Sequence, residues 1–113
     1  MSDRIIEITK SVCNEQHPTK SYLVLSDGAS SVVEPRDEVT WVVTDKNIDS
    51  ILIQDDRSIN LFVPDPAPEG NDFRTWKGTI RHNLKAGDEE NYKIYWSQNK
   101  KVYCYDPKIQ INN

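Results

Sequence analysis

Three residues of this 113-residue sequence could take part in metal or redox chemistry: Cys104, Asp49 and His82. A thiolate joined by imidazole or carboxylate groups is a common ligand set for transition metals. The sequence holds two cysteines, two histidines and one methionine, so such ligands are few. Cys104 also lies in an apolar run, where cysteine usually serves as a small buried hydrophobic residue. We therefore expect no metal site and no cofactor, with these three residues as fallback metal candidates.

Two acidic groups, Asp55–Asp56 and Asp88–Glu90, are the candidates for hydrolytic chemistry. A glycoside hydrolase needs two carboxyl groups that flank the bond to be cleaved. Nothing in the spacing of these groups predicts a shared cleft, and acidic runs of this kind usually form exposed turns. We expect no enzyme activity, and a small hydrolase or carbohydrate-active domain is the more distant alternative.

A proline-rich segment, 64–72, is the candidate surface for binding a partner. Loops that connect rigid strands commonly carry binding residues, and aromatic residues and arginine often anchor such contacts. Trp76 follows the segment and has two interpretations, an exposed docking anchor or a cap on one end of the core. The predicted partner-binding residues are Pro64, Pro66, Pro68, Phe73, Arg74 and Trp76.

Strands have to position these residues, because the apolar residues recur with period two rather than 3.6. Ile6 and Ile8 alternate with polar neighbours in the first segment. Short apolar or β-branched runs follow at Tyr22–Leu25, Val32–Val33, Val39–Val43, Ile51–Ile53, Ile59–Val63, Trp76–Ile80, Tyr92–Trp96, Val102–Tyr105 and Ile109–Ile111. Many short strands separated by turn signals predict an all-β Greek-key sandwich of about eight strands. At this length we expect a single domain over residues 1–113.

The overall charge and the apolar runs narrow the class of partner. The net charge is -4 and the sequence pI is about 5.1, which argues against a nucleic-acid partner. No apolar run approaches the roughly 20 residues needed to span a bilayer, so we expect no membrane partner. The first residues do not resemble a secretory signal, which favours a cytoplasmic protein with two free thiols. The expected partner is a protein or a small ligand, and an exposed strand edge could also support a homodimer.

Several short segments resemble the cupredoxins. The stretch Val33–Val42 is similar to the beginning of that family's central strand, with Arg36 in place of the usual glycine. Gly78–Ile80, Tyr92–Tyr95 and Asp106–Ile111 resemble later strands of the same family. The resemblance implies a cupredoxin-like β-sandwich over residues 20–111. An immunoglobulin-like sandwich is the alternative, although its Cys–Trp–Cys pattern would be too widely spaced here.

The resemblance also implies where copper ligands should stand. A type-1 copper site uses two histidines, one cysteine and a weak axial ligand. The first histidine position falls at or near Asp49, and Cys104 fits the thiolate position. No histidine or methionine follows Cys104, so three of the four ligands are missing. The sequence thus predicts a copper-free, non-enzymatic, soluble binding module on this scaffold. A metal-binding or redox protein using Cys104 is the first alternative.

Overall fold

A computed structural model describes residues 3–28, 30–55 and 60–112, and its described part is an all-β globule with 54% strand and 2% helix. The predicted all-β class is confirmed. One short 3-10 turn occupies Pro18–Lys20. The strands are β1 (Asp3–Val12), β2 (Tyr22–Leu25), β3 (Ser30–Val33), β4 (Glu38–Val43), β5 (Ser50–Gln54), β6 (Ala67–Pro68), β7 (Thr75–Thr79), β8 (Glu89–Asn91), β9 (Lys93–Gln98), β10 (Lys101–Tyr105) and β11 (Lys108–Ile111).

The strands form a layered sandwich. A five-stranded sheet has the order β2-β1-β4-β7-β6, and two three-stranded sheets have the orders β10-β9-β5 and β3-β11-β8. β1 runs parallel to β4 and β11 runs parallel to β3, while the other pairs are antiparallel. The connection from β1 to β4 passes through β3 in another sheet, so the chain crosses between layers as in Greek-key sandwiches.

The core comes from the alternation seen in the sequence. In β4, Val39, Trp41 and Val43 are buried, whereas the intervening residues are partly exposed. The Trp41 ring packs against Phe62 at a centroid distance of 5.6 Å. Apolar side chains from all three sheets join one buried cluster, and burial of large aromatic rings supplies much of its driving force.

The predicted strand Ile59–Val63 is wrong over its described part. Phe62 makes only an isolated bridge to Ile80, and Ile59 lies outside the described residues. Asn60 has a left-handed backbone with φ of 59°, which interrupts an extended run. Leu61 and Phe62 are nevertheless fully buried, so their apolar character serves the core without a strand ladder.

The proline-rich segment runs along the edge of β7. The Val63 N–H donates to the Thr79 carbonyl at 2.9 Å, and the Glu69 N–H donates to the Thr75 carbonyl at 2.7 Å. Between these bonds, the two residues of β6 pair with Lys77 and Trp76. Proline is tolerated on an edge strand because its missing N–H can face outward. The segment was predicted to be a loop, and it instead contains a short strand that covers this sheet edge.

Besides Asn60, three turns in the described part of the chain place non-glycine residues in the left-handed region. The Asp37 N–H donates to the Glu34 carbonyl at 3.1 Å, with Pro35 and Arg36 between them and Arg36 at φ of 72°. This is the pattern of a type II turn, whose third position favours glycine. The second turn is the hairpin at Asn99 and Lys100, and the third surrounds Phe73.

Candidate functional site

The predicted partner-binding residues do not form one patch. Val63 and Pro64 lie beside Thr79 at one end of β7, whereas Phe73 and Arg74 precede Thr75 at the other end. Pro66 is buried, and the Gly78 backbone approaches its ring closely. Pro64, Pro68 and Phe73 are exposed. The segment therefore spreads its exposed residues along a sheet edge rather than presenting them together.

Trp76 is not an exposed anchor. Its side chain is 6% exposed and belongs to the core cluster. Of the two interpretations, the structure agrees with the one that places Trp76 in the core. The reason is the alternation of β7, in which Trp76 and Gly78 face inward while Thr75 and Lys77 are partly exposed.

Arg74 holds the chain to the end of β4 instead of reaching into solvent. One Nη atom of its guanidinium donates to the Asp45 carbonyl at 2.9 Å, and its backbone carbonyl accepts from the Val43 N–H at 3.0 Å. Its own N–H donates to the Asp72 carboxylate at 3.1 Å. Arg74 thus connects the loop to the sheet through hydrogen bonds.

Phe73 is the one aromatic residue of the predicted surface that stays accessible. Its side chain is 48% exposed, and its backbone is left-handed with φ of 56°. The Phe73 carbonyl accepts a 2.8 Å bond from the Ile51 N–H, which holds this conformation. A bulky residue at positive φ is an outlier that the surrounding structure has to enforce.

The three fallback metal candidates lie apart. His82 follows β7 at the end where Glu38 pairs with Thr79, whereas Asp49 lies beyond the opposite end of β4. Cys104 pairs with Tyr95 on β10, an edge strand of the three-stranded β10-β9-β5 sheet. Within the described ranges, no three His, Cys, Asp or Glu side chains are grouped to hold a metal ion.

The surroundings of the Cys104 thiol favour its protonated form. Burial is the main cause that raises the pKa of this thiol, and the negative charge of Asp106 adds to it. The Sγ atom lies 3.7 Å from an Asp106 carboxylate oxygen, to which it donates. Thiolates are the form that binds metals and attacks electrophiles, so this environment disfavours both.

Asp88 and Glu89 of the predicted acidic groups have structural roles. The Lys85 N–H donates to an Asp88 carboxylate oxygen at 2.9 Å, which closes a turn. Glu89 forms a 2.9 Å ion pair with Lys108, and Glu90 is buried on β8. Asp55 follows β5, and Asp56 lies outside the described residues.

A groove that sequence reasoning missed lies between β2 and β10. It encloses about 680 Å³ and continues over the 3-10 turn before β2. Four tyrosines from β2, β9 and β10 contribute to its walls, and Tyr22 is 45% exposed. We call it the tyrosine groove, lined by Thr19, Lys20, Ser21, Tyr22, Tyr95, Val102, Tyr103, Cys104, Tyr105 and Asp106.

Both long walls of the tyrosine groove are strands at the edges of their sheets. Among the strands that the structure describes, β10 pairs with β9 alone and β2 pairs with β1 alone. In the β9–β10 hairpin, Gln98 pairs with Lys101 across the two-residue turn. A hairpin of this type makes that pair hydrogen-bonded, so the next residue on β10, Val102, directs its backbone groups away from β9.

Cys104 repeats the orientation of Val102, because the pattern alternates along the strand. Within the described residues, no backbone hydrogen bond outside the strand ladders involves Val102 or Cys104. Beside them, the buried Tyr103 ring stacks on Trp96 with ring centroids 5.2 Å apart. The Val102 side chain is 70% exposed. The site is therefore an apolar groove with hydrogen-bonding backbone on one wall.

No protein-family model matches the sequence, and no curated protein matches it. Among the residues that the structure describes, no helix has the length and apolar character needed to cross a membrane.

Proposed function

We propose that this protein is a non-enzymatic binding module that takes an extended polypeptide segment into the tyrosine groove. The observation that supports it most directly is the edge of β10 that has no paired strand and lines that groove. Peptides that add a strand to a sheet edge gain affinity from backbone hydrogen bonds and specificity from side-chain pockets. Val102 and Cys104 would supply the backbone donors and acceptors.

The side chains of the groove favour a partner segment with apolar or aromatic residues at alternate positions. Tyr22, Tyr95 and Tyr105 offer ring surfaces, and Val102 adds an exposed aliphatic contact. Tyrosine combines a large apolar area with a polar hydroxyl, which suits partly hydrated interfaces. Lys20 and Asp106 bring one charge of each sign to the groove and would orient the bound segment.

The two ends of the five-stranded sheet differ in how they are covered, and this difference supports the proposed function. Proteins usually cover or blunt exposed edges, because unpaired strands recruit other chains. In the five-stranded sheet, the end at β7 is covered by the proline-bearing β6, whereas β2 at the other end faces the groove. We infer that the β2 and β10 edges are open for binding.

We further propose a cupredoxin-like scaffold without a type-1 copper centre. The segment Val39–Val42 lies in β4, the middle strand of the five-stranded sheet, which is the position that the resemblance implies. The protonated Cys104 thiol favours binding over metal or redox chemistry. Two free cysteines, Cys13 and Cys104, favour a reducing cytoplasm.

Phe73 is the basis for a second partner-binding surface, separate from the tyrosine groove. The ring is half exposed and is held in an enforced left-handed conformation. Strained residues of this kind concentrate at binding sites. A Phe73→Ala variant that keeps the affinity of every partner segment would remove this second surface from consideration.

The experiment that tests strand addition compares Val102→Pro with Val102→Ala. Peptides are first selected from a random 12-residue display library on the wild-type protein, and their affinities are measured by fluorescence anisotropy. Proline removes the outward N–H without removing a bond to β9, whereas alanine keeps that N–H. We expect Val102→Pro to weaken binding at least about tenfold, or about 1.4 kcal/mol, and Val102→Ala to change it less.

Equal binding by wild type and Val102→Pro would overturn strand addition in the groove. Circular dichroism melts of both variants check that the fold is retained. Sedimentation over a range of concentrations tests the homodimer through the same edge: a dimer that Val102→Pro dissociates identifies a second copy of this chain as the occupant. A monomer throughout assigns the groove to a different polypeptide.

A further inference from the structure

A second cavity, away from the tyrosine groove, is lined by basic side chains. It encloses about 380 Å³ at the end of the sandwich where β4 begins and β7 ends. We call it the basic pocket, lined by Arg36, Val63, Thr79, Ile80, Arg81, His82 and Asn83. No carboxylate is among these lining residues.

Two chain segments carry the polar side chains of the basic pocket, and backbone hydrogen bonds join them. The Arg36 N–H donates to the Ile80 carbonyl at 3.0 Å, and the Ile80 N–H donates to the Asp37 carbonyl at 2.8 Å. The Arg81 N–H donates to the Leu61 carbonyl at 2.8 Å. The backbone that presents the cations is thus fixed from both sides.

Arg36 occupies a position where its side chain costs stability. Its φ of 72° belongs to the left-handed region that favours glycine in this turn. An outlier that persists against local preference is grounds for a functional hypothesis. The Arg36 guanidinium lines a cavity and can bind a ligand there, which a glycine at this position could not do.

The nearest acidic residue along the chain does not neutralise Arg36. The Asp37 side chain is fully buried and accepts from Arg4 Nε at 3.1 Å and from the Glu34 N–H at 2.9 Å. Its charge is therefore compensated by Arg4 on β1. In the described part of the chain, no ion pair involves the Arg36 side chain.

We propose that the basic pocket binds a tetrahedral oxyanion, the phosphate group of a small molecule or of a modified side chain. Arginine binds phosphate through two parallel hydrogen bonds, and His82, Asn83 and Thr79 add further donors. Three terminal oxygens of a phosphate group can use this many donors better than the two of a carboxylate. Arg81 has an interaction partner within the chain, so we assign the primary contacts to Arg36 and His82.

The test uses inorganic phosphate as the probe on the full chain, followed by two-dimensional amide NMR. We expect saturable shifts at residues 36 and 79–83, and none in the tyrosine groove. Arg36→Gly removes the guanidinium while suiting the left-handed backbone, so the fold should persist and the affinity should fall at least about tenfold.

Lys100→Gly is the matched control, because it also removes a cation from a left-handed position but lies in the β9–β10 turn. It should leave phosphate affinity unchanged. Arg36→Gln gives a second loss-of-charge variant of similar size if the glycine variant alters the turn. Unchanged affinity in both Arg36 variants would overturn the proposal, as would equal shifts from chloride at matched ionic strength.

The source of the phosphate is separated by two further titrations, with glycerol phosphate and with a hexapeptide that contains phosphoserine. Tighter binding of the phosphopeptide identifies a modified side chain as the ligand, and tighter binding of glycerol phosphate identifies a small phosphorylated molecule. Binding of neither, under conditions where inorganic phosphate also leaves the spectrum unchanged, contradicts the site.

Discussion

The indole N–H of Trp41 donates a 2.9 Å hydrogen bond to the hydroxyl oxygen of Tyr92, and both side chains are fully buried. Their rings lie 5.4 Å apart at an angle of 57°. Trp41 belongs to β4 in the five-stranded sheet, whereas Tyr92 stands between β8 and β9 of the two smaller sheets. One polar contact inside an apolar core thus joins all the layers.

Tyr92→Phe should destabilise the protein by about 1–3 kcal/mol, because it leaves the buried Trp41 N–H without an acceptor. Urea unfolding followed by tryptophan fluorescence measures the change in the free energy of unfolding. Tyr22→Phe is the control: that side chain is 45% exposed, and the change should stay within about 0.5 kcal/mol. Equal stability of Tyr92→Phe and wild type would show that the bond is not formed in solution.

Lys100→Gly should stabilise the protein by about 0.5–1 kcal/mol, because glycine suits a left-handed turn position. Asn99 and Lys100 have φ values of 53° and 63°, as in a type I′ hairpin turn. Lys101→Gly, one residue later in β10, should instead destabilise by about 0.5–1 kcal/mol. Thermal melts of the two variants decide this, and a shift of both in the same direction would contradict the turn type.

Gly78→Ala should destabilise the protein by about 1–3 kcal/mol through overpacking. A Cβ at Gly78 would lie 2.9 Å from Phe62 Cδ1 and 3.2 Å from Pro66 Cγ, and both side chains are buried. Gly28→Ala is the comparison at an open position, where nothing lies within 4 Å and only the backbone conformation resists. A melting temperature equal to that of wild type for Gly78→Ala would mean that Phe62 moves freely.

Asp45 makes the free energy of unfolding depend on pH in the acidic range. Its carboxylate accepts a hydrogen bond from the Asn47 N–H at 2.9 Å, and this bond is the largest cause that lowers the pKa of Asp45 below 3.8. Hydrogen bonds from Ser11 lower the pKa further, whereas burial of the carboxyl group raises it. A carboxyl group with a depressed folded-state pKa stabilises the fold above its ordinary pKa and loses that contribution as the pH falls through the folded-state value.

Asp45→Asn should therefore lower the free energy of unfolding by about 1 kcal/mol at pH 7. The difference from wild type should shrink as the pH falls below 3.8, the ordinary value for this group. Urea titrations between neutral and acidic pH measure it. A difference that stays constant over the whole series would mean that the Asp45 charge has no role.

Strand positions could be predicted from the sequence because each depends on local alternation. Val39–Val43 was predicted as a strand and forms β4, and Ile109–Ile111 lies in β11. The same alternation predicts that Trp76 is buried, because Gly78 and Ile80 lie on the same inward face as Trp76. The flanking basic residues and the preceding proline-rich segment instead favour an exposed position.

The tyrosine groove could not be predicted in this way. It exists because Tyr22 on β2 and Val102 on β10 end up on facing edges of two different sheets. Which strands stand at the edges depends on pairings between distant segments, and periodicity within one strand does not encode them. The basic pocket has the same origin, since Arg36 and His82 meet only through the pairing of β4 with β7.

The parallel pairing of β11 with β3 also governs how this chain reaches its native state. Lys108 aligns with Ser30, and the other edge of β11 pairs with β8, so β11 completes a sheet in which β3 comes from a distant part of the chain. Long loops must close before such contacts form, which slows folding to the millisecond-to-second range typical of β-sandwiches. On the ribosome, β3 and β8 remain without their shared neighbour until β11 emerges.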